Sequence, residues 1–434
     1  MNRLTRTIVA TLLVASLASI AVAREITFWH SFTQPVRIAA MESIAADFEA
    51  AHGVMVNIEV VPWTQVTSKW TSAAAAGVLP DVSIALPDVA IDMWEAGVTI
   101  PLEPLLEEMG GDDFFVSGSL LDRFHRYDGS LISLPFYAHT RLLLYRQDLF
   151  DERGLTAPTT WEEYIEVAEA LNDPPDTYGM IQMWSPTDWG ATLYLHMFMR
   201  SVGGAYLDAE GNSIFNSPET IEAVEQLVRL YEAGSPPGAF DLALHSSMYD
   251  LFTGGKTAMA FDTLFIASSL QRDRPDLYEA GALGVTGPPV NSEVGWFTDV
   301  IGLVKMQGAD EEAADAFIRF LFEDERYIEF LHTIPAGQFP VTSTTAVEDG
   351  PFFDHPVIEK FREGVEITLE GIRDGAALGM TYGPNKFAGL LKTGIIEDMM
   401  QDIVVDGVPV EVAVESTHQE LQLLIDRQRA RGRR

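Results

Sequence analysis

Cysteine is absent from all 434 residues. That excludes a disulfide frame, a thiolate metal site and lipid attachment to a cysteine behind a leader. Basic residues are scarce: 28 Lys and Arg stand against 64 Asp and Glu, for a formal net charge of −36. A surface so acidic repels nucleic acid and anionic lipid. Beyond residue 23 no stretch is long and apolar enough to span a bilayer. Catalytic signatures are missing as well. There is no G-x-G-x-x-G and no G-x-S-x-G, and the nine histidines include no H-E-x-x-H pair. "TGGKT" at 253–257 has the end of a phosphate loop, but Asp250 stands where its first glycine is needed, so it reads as a turn.

What is present begins with a leader. Arg3 and Arg6 form a basic start, residues 8–20 are nearly all apolar, and Ala21 and Ala23 suit a signal peptidase. Cleavage after Ala23 is expected, so residues 1–23 are a secretory signal and the mature protein is periplasmic. Loss of Arg3 and Arg6 takes the mature charge to −38. The remaining length suggests two or three domains, and 47% hydrophobic content supplies a large core.

The early mature chain alternates strand and helix. Residues 25–29 read as a strand, and Ile38, Met41, Ile44 and Phe48 follow helical spacing up to Gly53. Val54, Val56, Ile58 and Val60 alternate with Met55, Asn57 and Glu59, the mark of a half-buried strand. A helix is expected over 64–76 and a strand over 82–85. This order implies a parallel sheet, whose ligands bind beyond the carboxyl ends of its strands. Trp29-His30-Ser31, Pro62-Trp63 and Pro87-Asp88 fall at those ends. Farther on, 132–150 reads as one long extended segment, 257–262 and 295–305 as strands, and "RQRARGRR" at 427–434 as a disordered basic tail.

Aromatics beside Asp, His and Gln are what a polyol pocket needs, because sugars offer apolar C–H faces to rings and hydroxyls to directional partners. Trp63, Trp184, Trp189, Trp296, Tyr137 and Tyr382 are candidates, whereas Trp70 and Trp94 sit within expected helices and Trp161 at a helix start, positions that suit packing.

Six segments in order carry a resemblance. They are "EITFWHSF", "GVLPDVSIALPD", "LLLYRQDLFDERGLTAPTTWEEY", "LFTGGKTAMAFD", "GADEEAADAFIRFL" and "TIPAGQFPVTST". Together they resemble the solute-binding proteins of carbohydrate ABC importers, in the branch of the maltose- and glycerol-3-phosphate-binding proteins. The resemblance implies an α/β, periplasmic-binding-protein-like fold: two α/β lobes around a ligand cleft with several hinge crossings. Lobe 1 would take 24–138 plus 300–334, and lobe 2 would take 139–299 plus 335–434. The crossings would lie near 139–145, 296–303 and 334–341.

The same resemblance implies a ligand site. Ser31 and Gln34 match polar positions of the first loop, with Trp29 and His30 leading into it. Asp88 matches an acidic hydroxyl acceptor, and His139 takes a crossing-strand position. Asp188 and Trp189 approximate an aromatic-polar stretch. Asp262 and Phe265 match the loop after "TAMAF", with Phe in a place where the family often has Trp. Trp63, Tyr137, Trp296, Phe297 and Tyr382 complete the candidates. The implied function is capture of a neutral sugar or polyol by hinge closure and delivery to the transmembrane subunits of a permease, by a monomer with no cofactor and no metal. Two alternatives stand beside it: a phosphorylated-polyol ligand, and a secreted glycoside hydrolase using two carboxylates.

Overall fold

A computed structural model describes residues 24–432, apart from 117, 237, 243 and 348–349. The leader expected over 1–23 and the last two residues of the basic tail lie outside the described residues.

The chain begins with β1 (Arg24–His30), helix α1 (Pro35–His52) and β2 (Val54–Val60). Pro35 starts α1, where a missing N–H costs nothing. Gly53 ends it at φ 69°, its N–H donating to the Glu49 carbonyl. Along β2 Val54 and Val56 are buried while Met55 and Asn57 are exposed, as the alternation implies. A short 3-10 turn at Trp63–Gln65 precedes helix α2 (Val66–Ala76), so this helix begins two residues later than its pattern suggests. Then come β3 (Val82–Ala85), helix α3 (Pro87–Glu95) and β4 (Thr99–Ile100). β1 pairs in parallel with β2 and β3.

A two-stranded ribbon, β5 (Arg126–Tyr127) and β6 (Ser130–Leu131), leads to β7 (Leu134–Thr140). β8 (Leu142–Arg146), β9 (Tyr178–Met180), β10 (Thr257–Asp262) and β11 (Leu283–Thr286) build a second sheet in the order β11-β8-β10-β9. β12 (Thr298–Met306) returns to the first sheet, antiparallel to β3, β4 and β7. This gives two α/β lobes, each around its own sheet.

The directions of these strands decide where the site lies. β1, β2 and β3 run the same way, so their carboxyl ends share one edge. β12 opposes β3 and β7 opposes β12, which brings the start of β12 and the end of β7 to that same edge. Because Gly302 pairs with Ala85, the last residue of β3, the earlier residues of β12 project past it.

The extended segment expected over 132–150 is instead two strands and the start of a helix (Gln147–Arg153). The break falls at Arg141. Its N–H donates to the Phe297 carbonyl at 3.0 Å, the Thr140 hydroxyl donates to the same oxygen at 2.7 Å, and its guanidinium pairs with Asp262 at the end of β10. One residue thus passes the chain from one sheet to the other.

The basic tail also differs from expectation. Through Gly432 it belongs to a helix, Val410–Gly432. Arg429 donates to the Asn212 side chain and the Glu210 carbonyl, both at 2.9 Å, and its cation lies 5.0 Å from the centre of the Phe387 ring. Those bonds hold the last turns against the second lobe.

Candidate ligand-binding cleft

A cavity of about 190 Å³ lies between the two sheet edges. From the first lobe it is lined by Ser31 and Gln34 after β1, Trp63 after β2 and Asp88 after β3. Tyr137 and His139 on β7 and Asp299 and Ile301 on β12 form its floor. Arg141 enters from the sheet switch. The second lobe adds Trp189, Tyr249, Asp262 and Phe265, and the late chain adds Gln338, Leu378 and Lys392.

Strand geometry explains the floor. Side chains alternate along a strand, so Tyr137, His139 and Arg141 share one face, as do Phe297, Asp299 and Ile301. All six line the cavity. β7 and β12 place His139 opposite Asp299 and Tyr137 opposite Ile301. His139 Nε2 lies 3.9 Å from Asp299 Oδ2. Burial pushes the Asp299 carboxyl up to about 6, with Lys392 and Arg141 opposing and Asp88 adding to the rise.

Charges in the cavity are matched. Arg141 is paired with Asp262, and the Lys392 ammonium lies 2.8 Å from Asp88. Arg37 is held by neutral groups and rings, with its Nε unpaired among the described residues. It donates to Gln338 Oε1 at 2.8 Å, and its cation lies 3.8 Å above the Phe32 ring. Gln338 in turn donates to the Phe330 and Leu331 carbonyls, both at 3.0 Å.

Trp189 stands at φ 59°, a left-handed conformation that a bulky side chain rarely adopts. It precedes the helix Gly190–Ser201, where a Cβ on Gly190 would lie 1.7 Å from the Met183 carbonyl oxygen. The tight entry that only glycine permits sends the indole to the cavity wall, with Lys392 Nζ 4.4 Å from its centre. Ser31 Oγ and Gln34 Oε1 are buried without a hydrogen-bond partner among the described residues. Native proteins leave few such atoms unpaired, and these two belong to the cavity wall.

The expected site residues separate into two groups. Ser31, Gln34, Trp63, Asp88, Tyr137, His139, Trp189, Asp262, Phe265 and Phe297 all line the cavity. Trp29, His30, Asp188, Trp296 and Tyr382 do not. Trp29 is buried on β1 with Lys69 Nζ 4.9 Å from its ring centre. His30 stacks on Phe32 at 4.8 Å and its Nδ1 accepts the Phe32 N–H, which shapes the loop from below. Burial, aided by Arg37, holds its pKa down at about 4, so the ring is neutral. Asp188 is buried and acts electrostatically on Arg141 and Tyr194. Trp296 packs into the core beside Gly287 and Gly371. Tyr382 is 59% exposed, away from the cavity.

The cavity also takes in Arg37, Arg141, Tyr249, Asp299, Gln338 and Lys392, which are not among the expected site residues. Asp299 and Arg141 had a local signal, the two-residue alternation from Phe297 and His139. Lys392 had none, since it reaches Asp88 across 304 positions of sequence.

Residues 34–326 match the family described as bacterial extracellular solute-binding protein. A putative binding protein of Brucella abortus (strain 2308) is 27% identical over 71% of this chain and 74% of its own. Among solved structures, an ABC transporter solute-binding protein from Agrobacterium radiobacter K84 in complex with ribitol superposes with a TM-score of 0.76 at 22% identity, covering 92% of this chain and 98% of that one. Maltose-bound MalE3 of T. maritima gives a TM-score of 0.78 at 19% identity over 93% of this chain and 100% of that one. At such identities the likeness shows the fold, while the match over 34–326 shows the family. The hydrolase alternative falls with it, because the family is the non-catalytic, ligand-capturing component of a transporter. The chain belongs to the bacterial extracellular solute-binding proteins of ABC importers.

Proposed function

We propose that this chain captures a neutral sugar or polyol of about one sugar unit and delivers it to the transmembrane subunits of its importer. The charge balance of the cavity carries this reading. Arg37, Arg141 and Lys392 face Asp88, Asp262 and Asp299, and two of the cations are already in ion pairs. To reach Arg141 or Lys392 a phosphate would have to break a pair, leaving a buried carboxylate without its cation at a cost of several kcal/mol, while Arg37 is already bonded to Gln338 and packed over the Phe32 ring. A hydroxyl inserts without displacing charge, and His139, Ser31 and Gln34 offer it both donors and acceptors. Trp63, Trp189, Tyr137 and Phe265 provide rings for the C–H faces.

Size supports a small ligand. The fold alone does not choose, since the same architecture holds ribitol in one relative and maltose in another. The cavity, about 190 Å³, falls below the roughly 300–1,000 Å³ of drug-sized pockets. The lobes would be 24–138 plus 300–334 and 139–299 plus 335–434, closing on the ligand as a monomer by a hinge at the strand crossings. The leader would be removed after Ala23, releasing the chain to the periplasm.

The test is thermal-shift screening on protein stripped of ligand by unfolding and refolding. The panel holds monosaccharides, polyols, disaccharides and glycerol phosphates. A shift with a monosaccharide or polyol is the expected result. Stabilisation by glycerol phosphate alone, or by disaccharides alone, would reject the reading.

A further inference from the structure

Helix α3 carries Asp88, Asp92 and Glu95 at intervals of four and three, so all three lie on one face. Facing them is a segment of the late chain that ends in a 3-10 helix, Ala388–Thr393. In a 3-10 helix residues three apart eclipse, which stacks Gly389 and Lys392 on one side. The two elements meet as an antiparallel ladder. Lys392 lies 2.8 Å from Asp88, Lys386 lies 3.1 Å from Glu95, and a Cβ on Gly389 would come within 3.0 Å of Asp92 Oδ2. The acids follow β3 of the first sheet. The lysine segment is tied to the second lobe: Leu391 accepts from the Thr192 hydroxyl, and Thr192 also holds Glu397 in the next helix.

We propose that the acidic face of α3 and the segment from Lys386 to Lys392 form a latch that holds the two lobes together over the cleft, with Asp92 as its middle rung. This inference does not depend on which ligand is captured. Lys386 and Glu95 lie outside the cavity, so the latch extends beyond the ligand's own contacts. The middle rung has glycine opposite it, which lets the helix and the segment approach closely but gives Asp92 no lysine of its own.

The latch is pH-sensitive through that rung. Asp88 and Glu95 flank Asp92 on its helix, and Lys386 and Lys392 face it from the opposite segment. Glu210, Arg429 and Arg431 line the groove beyond. Burial, then the Asp88 charge, raise the Asp92 carboxyl to about 7, against the pull of Lys392. Closure therefore favours protonated Asp92. Above neutrality the ionised rung adds a third carboxylate against two lysines, and the lobes separate more readily.

The absence of native cysteine makes the test direct. Spin labels on Ser68→Cys and Asp398→Cys, both exposed and one on each lobe, report lobe separation in the ligand-stripped mature chain. Lys386→Glu should lengthen the mean distance, and the exchange Lys386→Glu with Glu95→Lys should restore it. In the unsubstituted chain the distance should lengthen between pH 6 and pH 8, and Asp92→Asn should abolish that change. An unchanged distance in Lys386→Glu would overturn the latch, and so would a lengthening that the exchange fails to reverse. A pH response that persists in Asp92→Asn would remove the middle rung from it.

Discussion

The Lys392 ammonium lies 2.8 Å from the Asp88 carboxylate, although 304 positions separate the two residues. Both side chains are largely buried, at 14% and 9% exposure. Their pairing joins the first lobe to the late chain at the cavity wall. Breaking a buried pair by removing one partner costs about 3–5 kcal/mol when the site stays closed. An opening cleft relieves that cost by hydrating Asp88. Lys392→Ala should therefore lose at least about tenfold in ligand affinity, equivalent to about 1.4 kcal/mol. Its unliganded melting temperature should change little. Lys392→Arg should keep most of the affinity. Calorimetry and melting on both variants check this, and full affinity in Lys392→Ala would refute it.

Much of the first lobe was legible because its signals are local. Gly53 and Gly77 end helices, and the alternation of 54–60 marks a half-buried strand. The strand 257–262 appears at its expected bounds. The cleft was half legible. Trp296 and Phe297 look equally good as candidates in isolation, yet one is core and the other cavity wall. Alternation separates them: Phe297 shares the face of Asp299 and Ile301, and Trp296 takes the other. The same parity assigns Arg141 to the face of His139. It could not show the change of sheet at Arg141, which rests on a carbonyl of residue 297 and a carboxylate of residue 262. Tyr249, Gln338 and Lys392 enter the cleft only through tertiary packing, and no short-range pattern announces them.

Asp92 and Asp299 should each withdraw stability as pH rises through the weakly acidic range, against the opposite contribution of His30, His125 and His196, which burial holds neutral. Burial raises Asp92 to about 7 and Asp299 to about 6, from an ordinary value near 3.8. At these two carboxyls the folded chain then holds more protons than the unfolded chain between about pH 4 and pH 7. Linkage gives a negative slope of unfolding free energy against pH in that window for these two groups. Asp92→Asn and Asp299→Asn should each shift the measured slope in the positive direction. Denaturant midpoints measured from pH 4 to pH 8 in the three proteins provide the comparison. Identical pH profiles would show that neither carboxyl is held protonated by the fold.

The mature N-terminus should be Arg24. Its guanidinium is held by Asp310 and by Glu312, the latter at 2.9 Å, and its backbone pairs with Val54 in the first sheet. Cleavage after Ala23 leaves β1 whole, whereas cleavage farther on would cut into the strand. N-terminal sequencing of protein recovered from the periplasm should begin with Arg-Glu-Ile. A chain retaining Met1 in a membrane fraction would contradict the assignment.

Tyr382 provides a negative control. It was a candidate on its aromatic character, but it is 59% exposed and apart from the cavity. Tyr382→Ala should change ligand affinity and stability by no more than about 0.5 kcal/mol, the usual range for surface substitutions. A tenfold loss of affinity would mean that the ligand extends well beyond the cavity floor.

His139 gives the sharpest test of the floor. It sits on β7, one residue before the last of that strand and two before the sheet switch, directly opposite Asp299 on β12. From there it faces both lobes across the cavity. A neutral imidazole donates from one nitrogen and accepts at the other, which suits a sugar hydroxyl, and the Asp299 carboxylate nearby accepts only. Truncation would leave a buried hydroxyl without its partner, a loss of roughly 1–3 kcal/mol, or about five- to 150-fold in affinity. His139→Ala should bind its sugar or polyol that much more weakly while its unliganded melting temperature hardly moves. Asp299→Asn keeps the shape and one acceptor, so it should lose less. Paired calorimetry and melting on both variants decide the matter. If His139→Ala retains full affinity, the ligand does not rest on the β7–β12 floor, and the roles proposed for Asp88 and Asp262 at the same cavity lose their support with it.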